Sequence, residues 1–178
     1  MLKTLVVKAY SFAENAHKGQ TRKFTGLPYF THCKGVARLV ENITKDETLI
    51  AAALLHDVLE DTKTTYEELC LEFGTKVAIL VKDLSNDPIQ CKIMGKPAYL
   101  AEKLLKLNSN ALLIKLFDRL HNVKHLKDDC VKKEFVKKYT AETEFILQEL
   151  TANRLLDKPH SIVVAQIMEQ VQLLKQSL

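Results

Sequence analysis

Three stretches hold most of the residues able to do chemistry. "LLHDVLEDT" (54–62) places His56, Asp57, Glu60 and Asp61 directly after the uncharged run "TLIAAALL". "RKFTGLPYFTH" (22–32) brings Arg22, Lys23, Tyr29 and His32, and "IKLFDRLHNVKHL" (114–126) brings Asp118 with Asn122 at i+4 and His125 at i+7. Imidazoles and carboxylates are ligands for a divalent cation. Neighbouring carboxylates can orient or deprotonate water, and Arg–Lys pairs bind phosphate. The residue types most directly suggest a site for a divalent cation.

A helix must carry the first group. At about 100° per residue, His56, Asp57, Glu60 and Asp61 continue the sector that holds Leu49, Ile50, Ala53 and Leu54. Burying unpaired carboxylates costs on the order of several kcal/mol each. Carboxylates at a helix C-terminus also face the negative end of the dipole. A bound cation relieves both conflicts. The alternative is an N-cap or a solvated helix end. Read singly, His32 could be a satisfied core histidine and Asp118 a surface ion pair.

The rest of the chain reads as scaffold. At 178 residues it is long enough for one domain with a sizeable core. Hydrophobic residues make up 47% and charged residues 27%, with five glycines, four prolines and no tryptophan. This composition, rich in Leu, Ala, Lys and Glu, favours helices over strands. Helical periodicity covers 2–18, 30–42 and 46–60. A short helix capped by Thr64 or Thr65 runs to Phe73, and others cover 75–84, 97–107, 110–127, 131–151 and 160–176. "GQTRKFTGLPYF" reads as a loop interrupted by Gly26 and Pro28, 85–97 as an irregular surface loop, and Asp157–His160 as a turn. No strand and no repeat is expected. The fold class is all-α, a compact multi-helix domain.

Other function classes are weaker. The net charge of +4 is mild, and the lysines are scattered without aromatic interleaving, so nucleic acid is not an expected partner. Cys33, Cys70, Cys91 and Cys130 form no CxxC pair and no disulfide framework. The N-terminal segment contains an acidic residue and no cleavage-site pattern, so it reads as a mature helix. No apolar run approaches the roughly 18–20 residues that span a bilayer. The expectation is a cytoplasmic protein with a small-molecule partner. Its oligomeric state stays open.

Taken together, "AHKGQTRKFTGLPYFTHCKGVA" (16–37), "AALLHDVLEDT" (52–62), "FGTKVAILV" (73–81) and "IKLFDRLHNVKHL" (114–126) resemble the HD superfamily of metal-dependent phosphohydrolases. They are most similar to the hydrolase domain of the RelA/SpoT family and its stand-alone small alarmone hydrolases. HD alone is a weak signal; its order and spacing with RKxxGxPYxxH and KLxDRLHN are specific. The resemblance implies an all-α HD-domain fold over 1–178. The motifs lie within about 5–127, and 128–178 carries none. It implies one divalent ion per chain, usually Mn²⁺, held by His32, His56, Asp57 and Asp118. It implies Glu60 and Asp61 as catalytic carboxylates. It also implies Arg22, Lys23 and Asn122 as substrate contacts, with Tyr29 at the nucleoside pocket or in packing. The implied reaction is hydrolysis of the 3′-pyrophosphate of guanosine 3′,5′-bispyrophosphate (ppGpp or pppGpp) to GDP or GTP plus pyrophosphate, without an attached synthetase. Two positions depart from the family pattern. Leu27 stands where an acidic residue is frequent, and His125 where many members carry a small hydroxyl residue. Both bear on nucleotide choice rather than on metal binding. The alternatives are an HD phosphohydrolase for another nucleotide and a non-catalytic nucleotide-binding module.

Overall fold

The computed structural model describes residues 4–127 and 131–178. Cys130 and the first two residues of the predicted helix 2–18 lie outside them. The fold is all-α, as the composition implies. Among the described residues there are no strands; one isolated antiparallel bridge pairs Thr21 with Pro28. The chain divides into two compact units, one ending at Asn86 and one beginning at Asp87.

The first unit contains α1 (Thr4–Ala16), α2 (Phe30–Glu41), α3 (Glu47–Leu55), α4 (Val58–Asp61), α5 (Tyr66–Phe73) and α6 (Thr75–Leu84). Helix α3 is its axis. Every residue from Leu49 to Leu55 is buried, so α3 has no solvent face and the expected one-sided stripe is absent. The reason is Ala51–Ala52–Ala53, whose small side chains let α1, α2 and α6 all pack closely against it. Burying a leucine or isoleucine there contributes about 1.5–3 kcal/mol each. Asp46 caps the start, accepting from the Thr48 amide at 2.8 Å. Thr65 does the same for α5, accepting from Glu68 N, which resolves the choice between Thr64 and Thr65.

The helix predicted over 46–60 is broken. After α3 ends, Asp57 adopts φ −103° and ψ −3°, the sparsely populated bridge region. The Asp57 carbonyl then accepts from Asp61 N at 2.9 Å to begin the single turn of α4. His56 and Asp57 remain buried, whereas Glu60 and Asp61 are exposed. The expectation that all four continue one inward-facing stripe therefore fails for the second pair.

The second unit contains α7 (Pro88–Met94), α8 (Lys96–Lys106), α9 (Ser109–Lys124), a 3₁₀ turn (His125–Lys127), α10 (Lys133–Asn153) and α11 (Lys158–Gln176). Helices α9 and α11 pack together, as do α8 and α10. Here too the structure corrects the sequence reading, since α7 lies within the supposed loop 85–97. Asp87 accepts from the amides of Ile89 and Gln90, and Pro88 occupies the first helical position, where no amide hydrogen is needed. Gly95, at φ +79°, ends α7. Asp157, read as part of a turn, is the N-cap of α11, which starts at Lys158.

Candidate active site

The break at Asp57 builds the centre of the first unit's polar cluster. Asp57 is 8% exposed and His56 fully buried. The His56 Nδ1 nitrogen lies 2.9 Å from the Ala53 carbonyl. A carbonyl only accepts, so this nitrogen carries a proton and the ring's orientation is set by α3 itself. Its Nε2 atom lies 3.0 Å from Asp57 Oδ2. Helix α2 supplies a second imidazole: His32 Nε2 is 3.7 Å from the same oxygen, and the two rings stand 5.1 Å apart. The loop before α2 supplies Tyr29, whose hydroxyl donates to Asp57 Oδ2 at 2.8 Å. Burial and the Asp57 carboxylate push the Tyr29 phenol far up, so it stays a donor throughout the physiological range. Cys33, beside His32 on α2, offers a sulfur within 4.8 Å of ligand atoms of His56 and Asp57. Sequence reasoning did not single out Cys33.

The donors fit a divalent cation. Two ligand bonds of about 2.1 Å meeting at about a right angle end about 3 Å apart, the spacing of His56 Nε2 and Asp57 Oδ2. A proton committed to Nδ1 leaves Nε2 as the electron-pair donor, which is how a backbone carbonyl usually orients a metal-binding histidine. The Tyr29 hydroxyl would orient Asp57 in the same way. Two imidazoles and a carboxylate suit a borderline ion.

Glu60 and Asp61 leave this cluster through α4. The Glu60 carboxylate accepts from the Asn86 amide at 2.9 Å and from Asn86 Nδ2 at 3.0 and 3.1 Å. Asn86 is thus a partner that sequence spacing did not expose. Asp61 has an accessible carboxylate on a crowded face. Packing around it and the nearby Asp57 charge push it above the ordinary carboxylate range. Its carbonyl accepts from Gln20 Nε2. A cleft of about 830 Å³ borders the pair, lined in part by Asn15, Gln20, Lys63 and Glu68.

The cations of the loop before α2 have defined positions. The Arg22 amide donates to Leu27 O at 2.8 Å and the Gly26 amide to Arg22 O at 3.0 Å, closing a tight loop in which Gly26 has φ +68°. The Arg22 guanidinium lies 5.9 Å from the Tyr29 ring and Lys23 Nζ 5.4 Å from the Phe24 ring. Tyr29 therefore joins this loop to Asp57. The structure brings together His32, His56, Asp57 and Tyr29, with Glu60 and Asp61 one turn further along the chain.

Asp118 and Asn122 belong to the second unit, on α9. Asn122 Nδ2 donates to Asp118 Oδ1 at 2.7 Å, and Lys115 Nζ is 3.4 Å from Asp118 Oδ2. The next residue, Arg119, donates to Glu142 Oε1 at 3.0 Å and stands 4.8 Å from the Tyr139 ring. These contacts fix the rotation of α9 about its axis. His125 opens the 3₁₀ turn and is exposed.

A bundle with an imidazole–carboxylate pair at a helix break is the arrangement of an HD domain. The profile of the family described as HD domain matches residues 9–156, and the chain belongs to that family. Over 126 residues it is 39% identical to the guanosine-3′,5′-bis(diphosphate) 3′-pyrophosphohydrolase MESH1 of Xenopus tropicalis, covering 69% of this chain and 70% of that protein. It is 40% identical to the guanosine-3′,5′-bis(diphosphate) 3′-pyrophosphohydrolase of Aquifex aeolicus over 84% of this chain and 21% of that one. It is 36% identical to the probable chloroplastic GTP diphosphokinase RSH3 of Oryza sativa subsp. japonica over 85% and 22%. The chain thus spans about a fifth of the length of these last two. Among solved structures it matches a metazoan ortholog of SpoT, described as hydrolysing ppGpp and acting in starvation responses. That match has a TM-score of 0.80 and 27% identity, over 96% of this chain and 97% of the other. No described helix is long and apolar enough to cross a membrane.

Proposed function

We propose that the chain hydrolyses the 3′-pyrophosphate of guanosine 3′,5′-bispyrophosphate to GDP and pyrophosphate, and that of its 5′-triphosphate counterpart to GTP and pyrophosphate, with one Mn²⁺ ion per chain. The observation that carries this reading is the buried His32–His56–Asp57 cluster, with the His56 ring fixed by the Ala53 carbonyl. The likeness to MESH1 across 70% of its length directs it to this substrate.

His32, His56 and Asp57 would hold the ion. The match of "KLFDRLHN" to the family pattern supports Asp118 as a fourth ligand. When bound, the ion supplies positive charge against the attacked phosphate and lowers the pKa of a bound water. The chain's own residues do the remainder. Asp61, with its raised carboxyl, accepts the proton of the attacking water, and Glu60, held by Asn86, orients that water. Arg22 and Lys23 clamp phosphate oxygens, and Asn122 contacts the nucleotide. To release pyrophosphate intact, water must add to the phosphorus attached to the ribose 3′-oxygen. The P–O3′ bond then breaks, and the 3′-oxygen gains a proton. The match over 9–156 supports treating the chain as one functional domain. This reading includes a cytoplasmic enzyme of nucleotide turnover.

One observation favours a different nucleotide. Leu27 stands 52% exposed in the substrate loop, where family members often carry an acid. A nucleotide panel with Mn²⁺, its products resolved by ion exchange, separates the readings. GDP and pyrophosphate in equal amounts from the bispyrophosphate, with little turnover of simple nucleotides, supports the proposal. Preference for another nucleotide redirects it, and binding without turnover leaves a binding module.

A further inference from the structure

His17 is a buried titratable group that this mechanism does not use. It is 2% exposed and follows the last turn of α1, its amide bonded to Ala13 O at 3.0 Å. Its Nδ1 lies 2.8 Å from Gln20 Oε1. Gln20 Nε2 in turn reaches the carbonyl of Asp61. These two contacts determine the direction of the chain. A backbone carbonyl only accepts, so the Gln20 amide nitrogen must face Asp61 and its oxygen must face His17. His17 therefore carries its proton on Nδ1 and donates it to Gln20. His17 Nε2 is buried and has no hydrogen-bond partner among the described residues, so the Gln20 bond is the ring's polar anchor.

The same two residues reach the other half of the site. The His17 ring lies 5.0 Å from the Tyr29 ring at an interplanar angle of 34°, and the Tyr29 hydroxyl holds Asp57 Oδ2. The Gln20 carbonyl accepts from Tyr29 N at 2.9 Å. Helix α4 is a single turn, too short to be stable alone, and its terminal carbonyls need partners from outside. Gln20 supplies one of them at Asp61.

We propose that His17 and Gln20 are a positioning pair for the catalytic carboxylate. Through Gln20 they fix the backbone of Asp61, with the His17 ring seated against Tyr29. This inference rests on the hydrolase reading above and extends it to residues that touch no substrate atom.

The test uses the whole chain with saturating Mn²⁺ and guanosine 3′,5′-bispyrophosphate, comparing wild type with His17→Leu, His17→Asn and Gln20→Ala. The asparagine amide places a donor near the lost Nδ1. His17→Leu and Gln20→Ala are expected to lower kcat by about tenfold to a hundredfold, with KM and bound Mn²⁺ unchanged. His17→Asn is expected to recover most of the loss. Combining His17→Leu with Gln20→Ala is expected to cost little more than the worse single change, because both cut one chain of bonds. An asparagine variant as poor as the leucine variant, or a loss that falls on KM or metal content, overturns the proposal. Amide hydrogen exchange over 58–64, measured without metal, decides the case even if the wild type does not turn over this substrate. Faster exchange in His17→Leu but not in His17→Asn supports the positioning pair. Equal exchange in all variants overturns it.

Discussion

Each unit contains a buried histidine beside an aspartate, and the two pairs do opposite things. In the second unit, His160 is 3% exposed. Its Nδ1 meets the Asp157 carboxylate and its Nε2 lies 2.8 Å from the Ser109 carbonyl. Both ring nitrogens are spent on protein acceptors, and Asp157 is open to solvent. The pair caps α11 and ties it to the start of α9. In the first unit, His56 gives only Nδ1 to a backbone carbonyl and turns Nε2 toward a carboxylate that is itself buried. A second imidazole and a phenol converge on that carboxylate. Burial of a histidine next to an aspartate does not define a site. What defines it is whether an electron pair on the ring is left facing other donors of electron pairs.

Changes that break this contrast should differ widely in size. The largest belongs to the first unit: Asp57→Ala and His56→Ala should reduce pyrophosphate release to background. Next, Glu60→Gln and Asp61→Asn preserve shape but remove charge. Each should lower kcat by roughly 10²-fold or more with bound metal unchanged, as is usual for loss of acid–base catalysis. Loss of metal in both would make the pair ligands instead.

Neutralising Arg22 and Lys23 together should act on KM, at about 1.5–3 kcal/mol for each charged hydrogen bond lost. The penalty should shrink for substrates with fewer phosphates. Equal losses on the bispyrophosphate and on a simple phosphomonoester would remove the clamp. Tyr29→Phe deletes the hydroxyl that holds Asp57 Oδ2. It should weaken metal binding about tenfold or more, the usual effect of an outer partner of a ligand, while secondary structure by circular dichroism stays the same.

The smallest effect belongs to the capping pair. The hydrogen bond from His160 holds the Asp157 carboxyl below its ordinary range. A depressed carboxyl stabilises the fold above its unfolded pKa of about 3.9, and that stability is lost as pH falls through the folded value. Asp157→Asn should therefore lower Tm slightly at neutral pH. The difference from wild type should close in acid, with turnover unaffected. A gap that stays constant down to pH 2 would contradict this role.

The helix inventory was legible because apolar periodicity is strong. Residues 30–42 predict α2, observed as Phe30–Glu41, and 75–84 predict α6 at the same bounds. The break at His56–Asp57 was not, since helical periodicity passes through it without a glycine or proline. The polar contacts that stabilise the bend come from Tyr29 and His32, more than twenty residues upstream. Helix α7 was overlooked although Asp87–Pro88 is a helix-start signature; the short apolar content after it masked the signal. Cys33, Asn86 and Gln20 were missed for a different reason. Each faces residues far away in the chain, a proximity that no spacing rule reports. The i, i+3 spacing of His17 and Gln20 in "HKGQ" was the one local hint, because such a pair can bond across a single turn.

We propose that the His56–Asp57 pair, and not its counterpart in the second unit, holds the ion. The most direct measurement is a titration of Mn²⁺ followed by electron paramagnetic resonance, comparing Asp57→Asn with Asp157→Asn. The same chemical change is made beside a buried histidine in both. One tightly bound ion per chain is expected in wild type and in Asp157→Asn, with binding abolished or weakened by orders of magnitude in Asp57→Asn. Wild-type affinity retained by Asp57→Asn would contradict it.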